Sequence, residues 1–169
     1  IGSFCVIRNL SKLSLGRNTK LGTFNWIFGM AANSDKYFTE EIARHSSLVI
    51  GDHAAITSRH LIDCIDSVSI GPFTTIAGFR SQLLTHSIDI RRNRQSCAPI
   101  NIGAYCFIGT SVIILKGVTI PDYTIVAAGS VVVKSLPDSR AVYGGNPAAK
   151  LKDAETGVSY FLRESGSVD

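Results

Sequence analysis

Residues 102–132 read IGAYCF-IGTSVI-ILKGVT-IPDYTI-VAAGSV-V, and the aliphatic residue that recurs at every sixth place decides the fold. Ile102, Ile108, Ile114, Ile120, Val126 and Val132 keep this register without a break. The fifth place of the same blocks holds small or apolar residues: Cys106, Val112, Val118, Thr124, Ser130 and Leu136. The place after the aliphatic residue is often small or turn-prone, as in Gly103, Gly109, Pro121 and Ala127. Upstream, Leu15-Gly16, Leu21-Gly22 and Ile27, then Ile50-Gly51, Ile56, Ile62 and Val68, then Ile70-Gly71 and Ile76-Ala77, keep the same period, and even Ile1-Gly2 and Ile7 fit it.

Six is not a helical period, and it is longer than strand alternation explains. It matches a short strand plus a corner, wound into a coil whose turn comprises three six-residue sides. Ile102 then stacks under Ile120 and Ile108 under Val126, with the aliphatic residue pointing inward. The glycine after it is expected to supply unusual backbone angles at the corner. A single repeat cannot bury its apolar face, whereas stacked coils bury a continuous core. An antiparallel sandwich would need this unbroken spacing to be accidental.

The chain has 169 residues, 45% hydrophobic and 18% charged, which suits one domain with a sizeable core and excludes disorder. No apolar run reaches the roughly 18 residues of a membrane-spanning helix. The net charge of +4 permits an anionic ligand without pointing to nucleic acid. Cys5, Cys64, Cys97 and Cys106 lie far apart with no C-x-x-C pair, so neither a zinc site nor a disulfide framework is expected, and free thiols fit a reducing cytoplasm. No signal-peptide pattern is read in these residues, a reading of little weight in a sequence that begins at Ile1 rather than Met.

Three segments depart from the rhythm. An insert at about 30–49, including Ala31, Ala32, Asn33 and the polar run Thr39-Glu40-Glu41, reads as a loop or short helix. An excursion at about 83–99 carries Arg91, Arg92 and Arg94. The coil is expected to occupy 1–152 and a polar, partly helical tail 153–169. Excursions from a rigid scaffold commonly carry function. Within the hexads His60 and Arg80 fall at the fifth place, which signals either a misread register or a functional exception. His86 opens the long excursion; spacing alone leaves it as a general base or as a histidine bonded to its own loop. His45 and His53 read as solvated.

The run Ile102–Thr110, with Gly117-Val118-Thr119-Ile120, Ala128-Gly129-Ser130-Val131-Val132-Val133-Lys134 and Gly145-Asn146-Pro147-Ala148, resembles the hexapeptide-repeat acyltransferases. It is especially similar to the sugar O-acetyltransferases that modify maltose, galactosides, nodulation factors and surface polysaccharides. The resemblance spans roughly residues 50–152. It implies an all-β fold, a left-handed parallel β-helix, assembled as a homotrimer with sites between subunits. That hand opposes the usual right-handed crossover and does not follow from the spacing.

The resemblance further implies acetyl-CoA as donor, a sugar or glycan as acceptor, and no metal. Thr85-His86-Ser87-Ile88-Asp89 matches the family's Thr-His-x-x-Asp pattern, which makes His86 the catalytic base, with Asp89 placed toward the acceptor. Backbone N–H groups near the cleft would stabilise the oxyanion. The donor is expected along Phe107, Gly109, Thr110 and Ala128, with Lys134, Lys150 and Lys152 meeting its phosphates. Arg59 and His60 stand where the family commonly carries a neutral amide beside the acceptor. With Arg91, Arg92 and Arg94 they suggest an anionic glycan. Surface polysaccharide synthesis is the expected context, and N-acetylation of an amino-sugar nucleotide is the alternative. A γ-class carbonic anhydrase is disfavoured because H-x-x-x-x-H is missing, and a nonenzymatic scaffold predicts no acetyl-CoA binding.

Overall fold

The computed structural model describes all residues except 31–36, 41–42, 167 and 169. Its strands stack into three parallel sheets that wrap one interior. Face 1 is built from Val6–Arg8, Trp26–Gly29, Leu61–Cys64, Gln82–Leu84, Ile113–Leu115 and Val131–Val132. Face 2 follows with Lys12–Leu15, Ser47–Ile50, Val68–Ile70, Ile100–Ile102 and Thr119–Ile120. Face 3 holds Lys20–Leu21, Ala55–Ile56, Thr75–Ile76, Phe107–Ile108, Ile125–Val126 and Ala141–Gly144, with Ala149–Asp153 added antiparallel at its end.

The expected stacking is observed: Ile102 pairs with Ile120, Ile108 with Val126, and Ile114 with Val132. These aliphatic residues are buried, as are the fifth-place residues Cys106, Val112, Val118, Thr124 and Ser130. Each buried Ile contributes roughly 1.5–3 kcal/mol, so the core is a column of equal small terms. The buried Cys106 thiol is pushed up to about 11 by burial, and Cys64 is also raised, first by burial. Among the described residues the four cysteines form no disulfide.

The glycines act differently from the sequence expectation. Left-handed backbone falls on the fourth place of the block, on Phe73, Tyr105 and Tyr123 among others. Gly103 instead allows close stacking: a Cβ there would lie 2.6 Å from the Asp122 backbone nitrogen. The strained fourth-place residues of the corner between faces 2 and 3 offset their cost by packing ring on ring. His53, Phe73, Tyr105 and Tyr123 stack at 4.8, 4.6 and 5.2 Å, and Arg140 closes the column 4.1 Å over Tyr123. His53 is therefore a half-buried stacking residue, not a solvated one.

Two boundaries move. Ser47–Ile50 is a coil strand with Leu48 buried, so the insert ends before Ser47 rather than at 49. Leu83 is likewise core, in Gln82–Leu84, and the excursion begins after it. That excursion is an antiparallel hairpin, His86–Asp89 against Arg94–Cys97, running back to Ile100. The loop-or-helix expectation for Ala31, Ala32, Asn33 and Glu41 falls outside the described residues. In the tail, Ser159–Phe161 forms a 3₁₀ turn whose Phe161 is buried. No described helix is long and apolar enough to cross a membrane.

Candidate active site

The insert and the hairpin leave the coil at the same corner, between faces 1 and 2, with one coil between them. Between them Leu61–Cys64 turns directly into Val68–Ile70, and this tight turn supplies Asp63. Asp63 is fully buried, and its carboxylate accepts the backbone N–H groups of Ile65 at 2.9 Å and His86 at 3.1 Å. Thr85, also buried, donates its hydroxyl to the Asp63 carbonyl oxygen at 2.9 Å and accepts the Asp66 N–H at 3.0 Å. These bonds fix both the carboxylate and the start of the hairpin. Asp63 Oδ2 then accepts from Nδ1 of His86. With Nδ1 committed to a carboxylate, the lone pair of the neutral ring lies on Nε2.

The His86 side chain is 33% exposed. Phe38 of the insert meets it edge-on at 6.2 Å. On that side is a cavity of about 240 Å³, lined by Met30, Tyr37, Phe38, Ile65, His86 and Gln95. His86 also lines a cleft of about 180 Å³ with Leu84, Ser87, Leu115, Lys116 and Val133. One imidazole thus borders two recesses, an arrangement suited to moving a proton between two reactants. Among the described residues no group of three or more His, Cys, Asp or Glu is gathered as a metal site would require.

The remaining sequence candidates scatter. Arg80 was a misread register: the interval from Ile76 to Leu83 holds one extra residue, Arg80 takes the exposed left-handed corner, and Ser81 points inward. His60 is truly inward at 1% exposure, with Nε2 2.9 Å from the Thr57 hydroxyl and Nδ1 accepting the Ser81 N–H at 3.1 Å. Burial lowers its pKa to about 4, so the ring is neutral at pH 7 and enclosed by protein. Arg59 is exposed 5.7 Å from the Phe24 ring, on the corner between faces 3 and 1, not on the corner of His86. Asp89 accepts the N–H groups of Arg91 and Arg92 at the hairpin tip. Arg94 is paired with Glu40, whose carboxyl it holds below the usual range, and Arg92 lies 3.9 Å from Asp89. These carboxylates answer the charge of Arg92 and Arg94, which weakens the anionic-acceptor reading at the hairpin, while Arg91 and Arg59 are exposed.

Of the donor candidates, Lys134 follows Val133, which lines the cleft beside His86. Phe107 packs edge-on against Tyr160 at 5.7 Å. Gly109 is a buried stacking residue whose N–H bonds Val126 and whose carbonyl accepts from Ser81. Thr110 and the exposed Ala128 sit on the corner between faces 3 and 1, where Thr110 Oγ1 bonds Phe79. Lys150 is held by Asp153 at 2.7 Å and Asp138 at 3.2 Å, contacts that raise its pKa, and Lys152 lies 3.8 Å from Glu155. Sequence reasoning missed Asp63 and Lys116. Asp63 had one signal, an acid at an otherwise apolar strand end in the coil before Thr85-His86.

No protein-family model matches the chain. Over 108 residues it is 35% identical to "Putative colanic acid biosynthesis acetyltransferase WcaF" of Escherichia coli K12, covering 63% of this chain and 58% of that protein. Over 91 residues it is 33% identical to galactoside O-acetyltransferase of Escherichia coli K12, covering 52% and 42%. The chain thus spans about half the length of the curated relatives it matches. Among solved structures, the hexapeptide-repeat acetyltransferase VCA0836 of Vibrio cholerae, complexed with acetyl coenzyme A, superposes with a TM-score of 0.67 at 29% identity, covering 84% of this chain and 71% of that one. In repeat, coil and relatives alike, the chain is similar to the hexapeptide-repeat acetyltransferases, and its fold is their left-handed parallel β-helix.

Proposed function

We infer that this chain is the catalytic core of an acetyl-CoA-dependent O-acetyltransferase acting on a sugar or glycan, with surface polysaccharide synthesis as its context. The observation that carries the reading is the pairing of half-exposed His86 with fully buried Asp63 at the junction of two recesses. The relatives named for colanic acid and galactoside acetylation support the acceptor class, and the acetyl coenzyme A bound by the Vibrio protein supports the donor.

In the reaction, Nε2 of His86 takes the proton of an acceptor hydroxyl as its oxygen attacks the thioester carbonyl. The tetrahedral intermediate expels the CoA thiolate, which recovers the proton from His86. Asp63 holds the ring in the tautomer that can accept at Nε2 and stabilises the imidazolium that forms between the two steps. Thr110 and Ala128 stand on a different corner from His86. A donor site that uses both corners therefore has to draw them from neighbouring copies, and a homotrimer satisfies this.

The test is CoA release from acetyl-CoA, read by chromatography, across hydroxyl sugars, amino sugars and nucleotide-sugars, with native protein beside His86→Ala. Release with hydroxyl sugars that falls about 10²–10⁴-fold in the variant is expected. Turnover confined to amino sugars replaces the reading with N-acetyl transfer. Absence of acetyl-CoA turnover and binding overturns it.

A further inference from the structure

A second cavity, of about 280 Å³, adjoins the one beside His86 and shares Tyr37, Phe38 and Gln95 with it. Gln95 lies in the hairpin strand Arg94–Cys97, opposite Ile88 and two places from Cys97, the cross-strand neighbour of His86. Its side-chain oxygen Oε1 is buried, and no described residue hydrogen-bonds to it. A buried carbonyl without a donor is unfavourable, and such groups in native proteins serve a purpose more often than not. The recess beside His86 is walled by Tyr37, Phe38, Met30 and Ile65, and the adjoining one adds Ile88 and the polar Thr39, Asn93 and Arg94. Arg94, the one fixed charge lining either cavity among the described residues, is engaged by Glu40.

An aromatic wall, a single buried acceptor and a neutralised cation match the surface of an uncharged sugar ring, which offers C–H faces and hydroxyl donors. An anionic ligand would have to compete with Glu40 for Arg94. We propose that Gln95 is the specificity-determining residue of the acceptor site, accepting a hydrogen bond from one hydroxyl of a neutral pyranose that lies against Tyr37 and Phe38 while another hydroxyl of the same ring faces His86. The proposal rests on the acetyl-transfer reading and names the acceptor's chemistry within it. Selection works by leaving Oε1 unpaired whenever the hydroxyl is missing, so discrimination follows from a penalty on the wrong sugar.

The experiment measures acetyl transfer to methyl glucosides, galactosides and fucosides and to their monodeoxy analogues, using native protein, Gln95→Met and Gln95→Glu. For native protein, removal of one particular hydroxyl is expected to lower kcat/KM about 10- to 100-fold, with little loss for the others. Gln95→Met, of similar volume without an acceptor, is expected to flatten that preference. Gln95→Glu retains an acceptor oxygen and is expected to keep the preference within about threefold. Discrimination that survives in Gln95→Met, or is lost in Gln95→Glu, overturns the role of Gln95 and leaves acetyl transfer intact. Indifference of the native protein to every single hydroxyl also overturns it. Transfer to none of the glycosides, together with no transfer to any acceptor of the wider panel, removes the parent reading itself.

Discussion

His60 and His86 stand one coil apart and differ in almost everything the fold does to them. The region around His60 offers neutral partners: Thr57 and Ser81 bond its two ring nitrogens, while the buried Asn25 accepts its backbone N–H at 2.9 Å. The region around His86 offers one buried carboxylate on one nitrogen and two open recesses beside the ring. The first arrangement makes an imidazole a space-filling polar strut. The second suits it to the base role proposed for it. Chemistry is therefore assigned by the partner and the exposure, not by the residue type.

The comparison can be broken most severely at His86 itself. His86→Ala is expected to lower turnover about 10²–10⁴-fold with the melting temperature held within a few degrees, as steady-state kinetics and thermal melts would check. Asp63→Asn gives His86 a neutral partner like those of His60; kcat is expected to fall about 10- to 10³-fold with the assembly state unchanged, and native kcat retained would mean the carboxylate is only structural. His60→Ala should do the reverse. It leaves a cavity and unpaired groups and costs about 2–4 kcal/mol by denaturant melts, whereas activity per folded molecule stays near native.

The smallest effect is the dependence of stability on pH. His60 has a folded pKa of about 4 against an ordinary value of 6.5. Between those values the unfolded chain binds the proton that the folded chain refuses, so stability is full above pH 6.5 and falls as pH drops toward 4. Melts across that window should show a decline of several degrees that is weaker in His60→Gln. An equal decline in that variant would assign it to other groups.

The coil was legible because burial and period coincide: Ile102 to Val132 could be read as a stack before any coordinates. His86 was legible through Thr85 and Asp89, residues that hold or end a hairpin. Asp63 was not, because its value lies in a contact 23 residues away, made only once one coil sits on another. The Arg94–Glu40 pair is hidden for the same reason, since it joins two excursions separated by a whole coil. Arg80 was misjudged although the extra residue between Ile76 and Leu83 was countable, since Gly78 opens the corner enough to take one more residue.

Both excursions leave from one corner, and each coil bonds only to the coils directly before and after it. Closing a longer loop across that corner costs only about 0.6 kcal/mol for each doubling of its length. An insertion there leaves every inward aliphatic residue in register, whereas a single residue added to a face would rotate all that follows. The corner is thus where evolution can exchange acceptors cheaply, and where a designer seeking a new sugar preference should replace whole loops rather than point residues.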